Sequence, residues 1–332
     1  MADIALKTRV LLWGRAAARC AFPECHKELV HDATETDDES LIGDIAHIVA
    51  ESEDGPRGKS TLSEEERAKY SNLVLMCKNH HKVIDDQPYE WTVNKLTVLQ
   101  KAHEEIVRDR MSAPEIQRIA ANEAYASIVD EWAQRTDLEH WEAWTSWLLG
   151  ADGPSQTIEF INALRDIVPW LLGRVWPDGN ERLENAFLNF RLVLNDLLLV
   201  FGEHATKGPD DCYHTERFYR IKEWNPKRYH ELVDHYETHV DLVNDLVLEL
   251  TRAANFICDI VRATLEPSYR LKEGVLLVTA GPYGDMRFHT FRTEYREQEQ
   301  TEVPYQGIAK FKVERFTRDH TFAPKPSSDS VE

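Results

Sequence analysis

Four potential metal ligands occur as two closely spaced pairs in the first 80 residues of the chain. Cys20 and Cys25 are separated by four residues that include a proline, and Cys77 and His80 are separated by two. Three cysteines and one histidine suit a closed, tetrahedral Zn²⁺ site. A free cysteine is also simply a small buried hydrophobic residue, but two such pairs in one short segment favour a structural zinc site.

The second ligand pair lies where a strand is expected to pass into a helix. Residues 73–76 are apolar and short enough for a buried strand, and the polar residues that follow predict a helix from Lys78 to about Asp86. On that helix His81 and Asp85 are four residues apart and share one face. An imidazole and a carboxylate on one face, beside a second histidine and a cysteine, are typical of metal ligands.

An apolar, β-prone stretch upstream, residues 41–50, contains two polar interruptions, Asp44 and His47. With this stretch added, the chain resembles the HNH endonucleases, the ββα-metal nucleases, over about residues 1–110. The resemblance is carried by GDIAHIVAESEDGPRG at 43–58, SNLVLMCKNHHKVID at 71–85 and WTVNKLTVLQKAHEE at 91–105. The zinc-containing branch of that family has a pair of Cys or His ligands before and after the first strand, as this chain does.

The resemblance implies a role for three residues. His47 matches the general base that activates water, and Asn72 matches the asparagine that ties down the loop or orients the site. His81 matches a ligand of the catalytic divalent cation, Mg²⁺ or another. Taken alone, His47 could be a core histidine and Asn72 a turn residue, but the full set of motifs favours the catalytic interpretation.

The chain departs from the family pattern at one position. Many members carry a metal-binding Asp or His immediately before the base, and here that position is Ala46. Asp44 lies two residues earlier, so on an extended strand it points the same way and is a candidate replacement ligand. Asp85 is the other candidate, because of its helical spacing from His81.

The sequence predicts an α+β protein with two domains. The HNH-like domain occupies residues 1–111 and contains an acidic loop at 31–40, and the Ser-Ala-Pro segment that follows marks the boundary. Residues 115–323 predict a mainly helical domain that senses a signal or forms oligomers. The Pro- and Ser-containing residues 324–332 predict a disordered tail.

Two patterns in the second domain lead to specific predictions. Pro226 is expected to open a long helix that ends near Leu265, and its three histidines are interpreted as a solvated face rather than a metal site. These are His230, His235 and His239. Three strands are expected near the end of the domain, with a turn at 281–285 between the first two. They are residues 274–280, 286–292 and 308–316.

The composition of the chain limits which cellular compartment and which binding partners are expected. The net charge is −19, and residues 1–110 contribute 15 Lys and Arg against 21 Asp and Glu, so the chain is not expected to bind DNA avidly at all times. Cys212 and Cys258 are far apart, and the N-terminus lacks a secretory pattern, which favours a reducing cytoplasm over a disulfide framework. No apolar stretch approaches 20 residues, so no membrane partner is predicted.

Two functions remain open. The first is a metal-dependent HNH endonuclease that cuts DNA as a prokaryotic restriction or anti-phage defence effector, with the C-terminal domain responding to an activating ligand or partner protein. A homo-oligomer is expected, because cutting both strands with one-metal sites often requires two copies. The second is a catalytically silent, zinc-stabilised binding module that assembles a partner complex, which the missing acid before His47 favours.

Overall fold

The computed structural model describes residues 4–31, 40–150, 152–282 and 286–322. The acidic loop predicted at 31–40 lies outside these ranges except for its two end residues. The predicted disordered tail lies wholly outside them, and the predicted turn at 281–285 does so beyond its first two residues. The chain mixes helices with small antiparallel sheets, so its class is α+β. It divides into two compact units, unit 1 with Met1–Asp130 and Pro177–Gly179, and unit 2 with Glu131–Trp176 and Asn180–Glu332.

The described residues of unit 1 form two pairs of antiparallel strands and five helices, of which the last continues into unit 2. The strands are β1 (Val30–His31), β2 (Ser40–Leu41), β3 (Gly43–His47) and β4 (Leu73–Cys77). The helices are α1 (Leu6–Arg15), α2 (Glu64–Arg67), α3 (Lys78–Asp86), α4 (Val93–Arg110) and α5 (Ala113–Arg135). A 3₁₀ turn, Tyr70–Asn72, leads directly into β4.

The β3–β4–α3 arrangement positions the candidate site. Gly43 pairs with Cys77 and His47 with Leu73, so both ends of β3 lie beside the ends of β4. All five residues of β4 are buried, as expected for an apolar run in the centre of a core. Because α3 starts at the residue after Cys77, its first turn carries both histidines of the motif within reach of β3.

Unit 2 is built around two long helices, α8 and α9, whose inward faces are almost wholly buried. Its helices are α6 (Trp141–Leu148), α7 (Ile158–Leu172), α8 (Glu181–Glu203), α9 (Pro226–Thr264) and α10 (Ile308–Glu314). Its strands are β5 (Ser155–Thr157), β6 (Ala205–Lys207), β7 (Cys212–Thr215), β8 (Leu277–Ala280) and β9 (His289–Arg292). The strands form one sheet in the order β5-β7-β6 and a second pair, β8-β9, all antiparallel.

The prediction of a third C-terminal strand at 308–316 is wrong, because this segment forms α10 and a following 3₁₀ turn. The apolar Val313 is 74% exposed. The buried residues are Phe311 and Arg315, four positions apart, which is the spacing of one helical face. The other two predicted strands are present in shortened form as β8 and β9.

The start of α9 agrees with its prediction. Pro226 occupies the first turn, and the Asn225 side chain accepts a hydrogen bond from the Arg228 backbone N–H at 3.1 Å.

The neighbouring helix α8 is long and apolar enough to cross a membrane, with a mean hydropathy of 1.2 over an 18-residue window. Because 56% of that window is buried inside the protein, α8 also fits the description of a core helix.

Candidate metal and catalytic centre

The four predicted zinc ligands form one cluster in unit 1 that could hold a metal ion. The ligand atoms of Cys20, Cys25, Cys77 and His80 all lie within 4.8 Å of one another. His80 Nδ1 lies 3.3 Å from Cys77 Sγ and 3.6 Å from Cys20 Sγ. A tetrahedron with Zn–S bonds of about 2.3 Å has edges of roughly 3.8 Å. The donor set and its spacing therefore fit Zn²⁺ after only small side-chain movements.

The backbone around Cys20 explains how the cluster is assembled. Helix α1 ends at Arg15, and Ala17 and Ala18 beyond it adopt left-handed conformations with φ of 47° and 52°. This reversal lets the Cys20 N–H donate to the Lys27 carbonyl at 2.9 Å. The short knuckle that results brings Cys20 to the end of β4, where its Sγ accepts a hydrogen bond from the Cys77 backbone N–H at 3.3 Å.

Burial and stacking complete the cluster. Cys20 is fully buried, and this burial raises the pKa of its thiol to about 12. A buried thiol of this kind is neutral until a cation binds, and a coordinating metal ion deprotonates it. Phe22 stacks on the His80 ring at 3.9 Å between centroids and 4° between planes, which fixes the orientation of the imidazole.

His81, one residue beyond the cluster histidine, belongs to a different group of side chains. Its Nδ1 lies 3.3 Å from Asp44 Oδ2, and its Nε2 lies 3.3 Å from Asp85 Oδ2. The structure therefore brings together all three residues predicted to bind the catalytic cation. However, the two nitrogens of one ring point in opposite directions, so a single cation bound to His81 reaches either Asp44 or Asp85.

Arg57 distinguishes between these two carboxylates. Its guanidinium donates a hydrogen bond to Asp85 Oδ1 at 2.7 Å, and its side chain is only 4% exposed. The positive charge is thus already paired with Asp85, whereas no Lys or Arg pairs with Asp44 among the described residues. Asp44 with His81 Nδ1 is consequently the better site for a hard cation.

The same guanidinium also holds the backbone next to the predicted base. It donates to the carbonyl oxygens of His47 at 3.3 Å and Ile48 at 2.7 Å, and to the carbonyl oxygen of Ile84 in α3. This role of Arg57 is not among the predictions made from the sequence. The available signal was its place in the GPRG segment of the motif. There, a Cβ at Gly58 would lie 2.3 Å from the Ser52 carbonyl oxygen, so the loop requires glycine beside the arginine.

Asn72 ties the chain that leaves β3 to the chain that enters β4. Its Oδ1 accepts a hydrogen bond from the Val49 N–H at 2.9 Å. Its Nδ2 donates to the carbonyl oxygens of Val49 and Arg67, both at 2.9 Å. The side chain is buried and all of these contacts are to backbone, so Asn72 orders the loop that follows His47.

His47 lies at the end of β3, where burial, above all, lowers the pKa of its imidazole. The charge of Glu51 opposes this shift, the charge of His81 adds to it, and that of Asp85 opposes it. A lowered pKa keeps the imidazole neutral near pH 7, which is the protonation state that a general base needs.

Comparison with known proteins adds no relative from which a function could be transferred. No protein-family model matches the chain, and no curated protein matches it. The functional interpretation therefore depends on the motifs and on the geometry of unit 1.

Proposed function

We propose that unit 1 is an HNH-type endonuclease that hydrolyses DNA phosphodiester bonds with the help of a divalent cation. The observation that carries this proposal is the His81 ring between two carboxylates, one residue along α3 from the histidine of the Cys cluster. His80 thus belongs to a sulfur-rich ligand group, and the adjacent His81 belongs to an oxygen-rich one. This arrangement suits a structural zinc ion beside a separate catalytic cation.

Asp44 and His81 would hold the catalytic cation, Mg²⁺ or another divalent ion. The 3.3 Å between Asp44 Oδ2 and His81 Nδ1 is near the roughly 3 Å that separates adjacent ligands of an octahedral Mg²⁺ ion. Asp85 suits a supporting role, since a bond from His81 Nε2 to its carboxylate would fix the tautomer that leaves Nδ1 free as a ligand. When bound, the cation supplies charge stabilisation at the scissile phosphate and at the departing oxygen.

His47 would act as the general base. Its neutral imidazole accepts a proton from the attacking water while the water oxygen bonds to phosphorus and the bond to the 3′ oxygen breaks. Arg57 contacts the backbone carbonyl of His47 itself and Asn72 contacts the backbone of Val49, two residues further on, so both are positioning residues. Their contacts support a base that is held in place before substrate arrives.

The wider role is proposed from the motifs and from analogy. HNH domains joined to unrelated modules are common in bacterial restriction and anti-phage defence systems. In that setting unit 2 would control the nuclease in the cytoplasm through an activating ligand or a partner protein. A homo-oligomer would bring two one-metal sites to the two DNA strands.

A catalytically silent, zinc-stabilised binding module is the second candidate function, and one observation favours it. Ala46 is fully buried where many family members carry a metal-binding acid or histidine. The excess of acidic over basic residues in positions 1–110 also weakens binding to duplex DNA. The two candidates differ in whether the purified protein cleaves DNA.

The deciding experiment is a plasmid-nicking assay with the untagged full-length protein at low salt. The nuclease proposal predicts nicking with Mg²⁺ or Mn²⁺ that EDTA abolishes. Loss of a general base typically costs about 10²- to 10⁴-fold in rate, so His47→Ala should be slower by that factor. His140→Ala, an exposed histidine in unit 2, should cleave like wild type. Absence of nicking with either metal, or a His47→Ala variant as fast as wild type, would instead favour the silent module.

A further inference from the structure

A second group of potential metal ligands lies in unit 2, outside everything used above. Glu203 and His204 stand at the C-terminal end of α8, and His239 lies on the buried side of α9. One ligand atom from each of the three residues falls within 4.8 Å of the other two. The residues come from two different helices, so their proximity results from the packing of unit 2 rather than from sequence spacing.

His239 is the residue that makes this group more than a chance cluster. It is only 8% exposed, and its Nε2 is buried without a hydrogen-bond partner. A buried polar atom without a partner is destabilising, so it calls for a ligand. The rings of His204 and His239 meet edge to face, with centroids 4.7 Å apart.

The sequence-based interpretation of the α9 histidines needs correction here. His230 and His235 are exposed, as expected for a solvated helix face, but His239 is buried against α8. The reason is the position of α8: its C-terminal end packs over the α9 turn that carries His239, which no pattern within α9 itself indicates.

The three ligands open onto a cavity with a volume of about 340 Å³. His235 and Thr238 also line it, together with Lys312 and Arg315 from the C-terminal segment. Arg315 is paired with Asp245 at 3.0 Å, so its charge is largely offset. Lys312 has no such carboxylate partner among the described residues. Its positive charge therefore favours a water molecule or an anion, rather than a second cation, next to a metal ion bound by the three ligands.

We propose that Glu203, His204 and His239 form a binding site for a divalent transition-metal ion of the Zn²⁺ class. Two imidazoles and one carboxylate are a ligand set for such ions, and three protein ligands leave one coordination position open to the cavity. The group formed by Asp210 in the β6–β7 turn and Cys212 and His214 in β7 fits less well, because His214 Nε2 is already paired with Asp210 at 2.9 Å. The proposed site does not depend on the nuclease function of unit 1.

The test is metal stoichiometry of the untagged full-length protein after chelation and reconstitution with Zn²⁺. The Asp44 and His81 site of unit 1 is the same in all of these proteins, so the result is the difference in bound Zn²⁺ between them. Glu203→Gln, His204→Gln and His239→Gln should each bind one equivalent less than wild type. His235→Gln, which changes a neighbouring histidine in the same cavity, should bind as much as wild type. Glu203 is exposed, so Glu203→Gln keeps the test decisive even if loss of the buried His239 impairs folding.

Reconstitution with Co²⁺ separates the two sites in one spectrum. Thiolate ligands give an intense charge-transfer band that a site of two imidazoles and a carboxylate lacks, so that band reports the Cys cluster alone. The three unit 2 variants should keep the full band while losing one equivalent of metal. The proposal is overturned if wild type binds metal only at the Cys cluster, or if Glu203→Gln and His204→Gln both bind as much metal as wild type.

Discussion

Replacing Arg57 with methionine should destabilise unit 1 strongly. The substitution keeps the length and the apolar part of the side chain while removing every hydrogen bond of the guanidinium. Three backbone carbonyls, those of His47, Ile48 and Ile84, lose their donor, and Asp85 loses its ion pair. The left-handed backbone at position 57, with φ of 57°, is equally strained for both residue types, so it does not contribute to the difference.

The expected magnitude follows from these contacts. Each lost hydrogen bond to a carbonyl costs about 1 kcal/mol. The ion pair adds about 1 kcal/mol, a low value because the Asp85 side chain is 34% exposed and therefore screened by solvent. The total is roughly 4 kcal/mol. Unfolding entropy of about 2.1 cal/mol/K per residue, over the Met1–Asp130 segment, converts this to a fall in Tm of about 15 °C.

Differential scanning calorimetry of the zinc-loaded full-length protein measures this shift. Lys59→Met is the matched control, because Lys59 is exposed in the same loop and surface changes of this kind usually stay within about 0.5 kcal/mol. A Tm for Arg57→Met within about 3 °C of the control would refute the view that the guanidinium holds the loop together.

Two further predictions concern the Cys cluster and the base. Cys77→Ser should lose the zinc of the Cys cluster and unfold unit 1, because structural zinc contributes about 10–16 kcal/mol, comparable to a whole domain's stability of about 5–15 kcal/mol. A soluble variant that lacks the zinc of this cluster and melts cooperatively at the wild-type temperature would contradict this. The acidic limb of the pH profile of kcat/KM should lie below the usual histidine pKa of about 6.5, because burial disfavours the protonated form of His47 and activity is lost only as pH falls through its lowered pKa. A limb above pH 7 would exclude His47 in this environment as the base.

Local signals in the sequence were sufficient for several elements. The apolar run before Cys77 predicted β4, and the polar residues after it predicted α3. Ser63 and Glu66 form the capping box that their spacing predicts, with reciprocal hydrogen bonds at the start of α2. Thr92 accepts a hydrogen bond from the Lys95 N–H at the start of α4, as a threonine at a helix N-cap commonly does. In each case the responsible residues lie within a few positions of one another.

Long-range packing decided what the sequence could not predict. Arginine usually lies at the protein surface. The Arg57 side chain is nevertheless buried, because four acceptors from β3, from the residue after β3 and from α3 surround its guanidinium. His239 is buried because α8 covers it. The 308–314 segment is helical because the side chains that it buries, Phe311 and the following Arg315, have helical spacing, whereas the apolar Val313 is exposed. These outcomes depend on partners that are distant in sequence.

The variants His80→Ala and His81→Ala test directly whether these adjacent histidines bind different metal ions. Zinc content and plasmid cleavage are measured on the same preparations of the two variants and wild type. His80 Nδ1 faces the cysteine sulfurs, so His80→Ala should lose zinc and thermal stability. The two ring nitrogens of His81 face the carboxylates of Asp44 and Asp85, so His81→Ala should keep the zinc of the Cys cluster and its Tm while losing cleavage. If His81→Ala loses zinc and His80→Ala keeps it, the two roles assigned here are wrong.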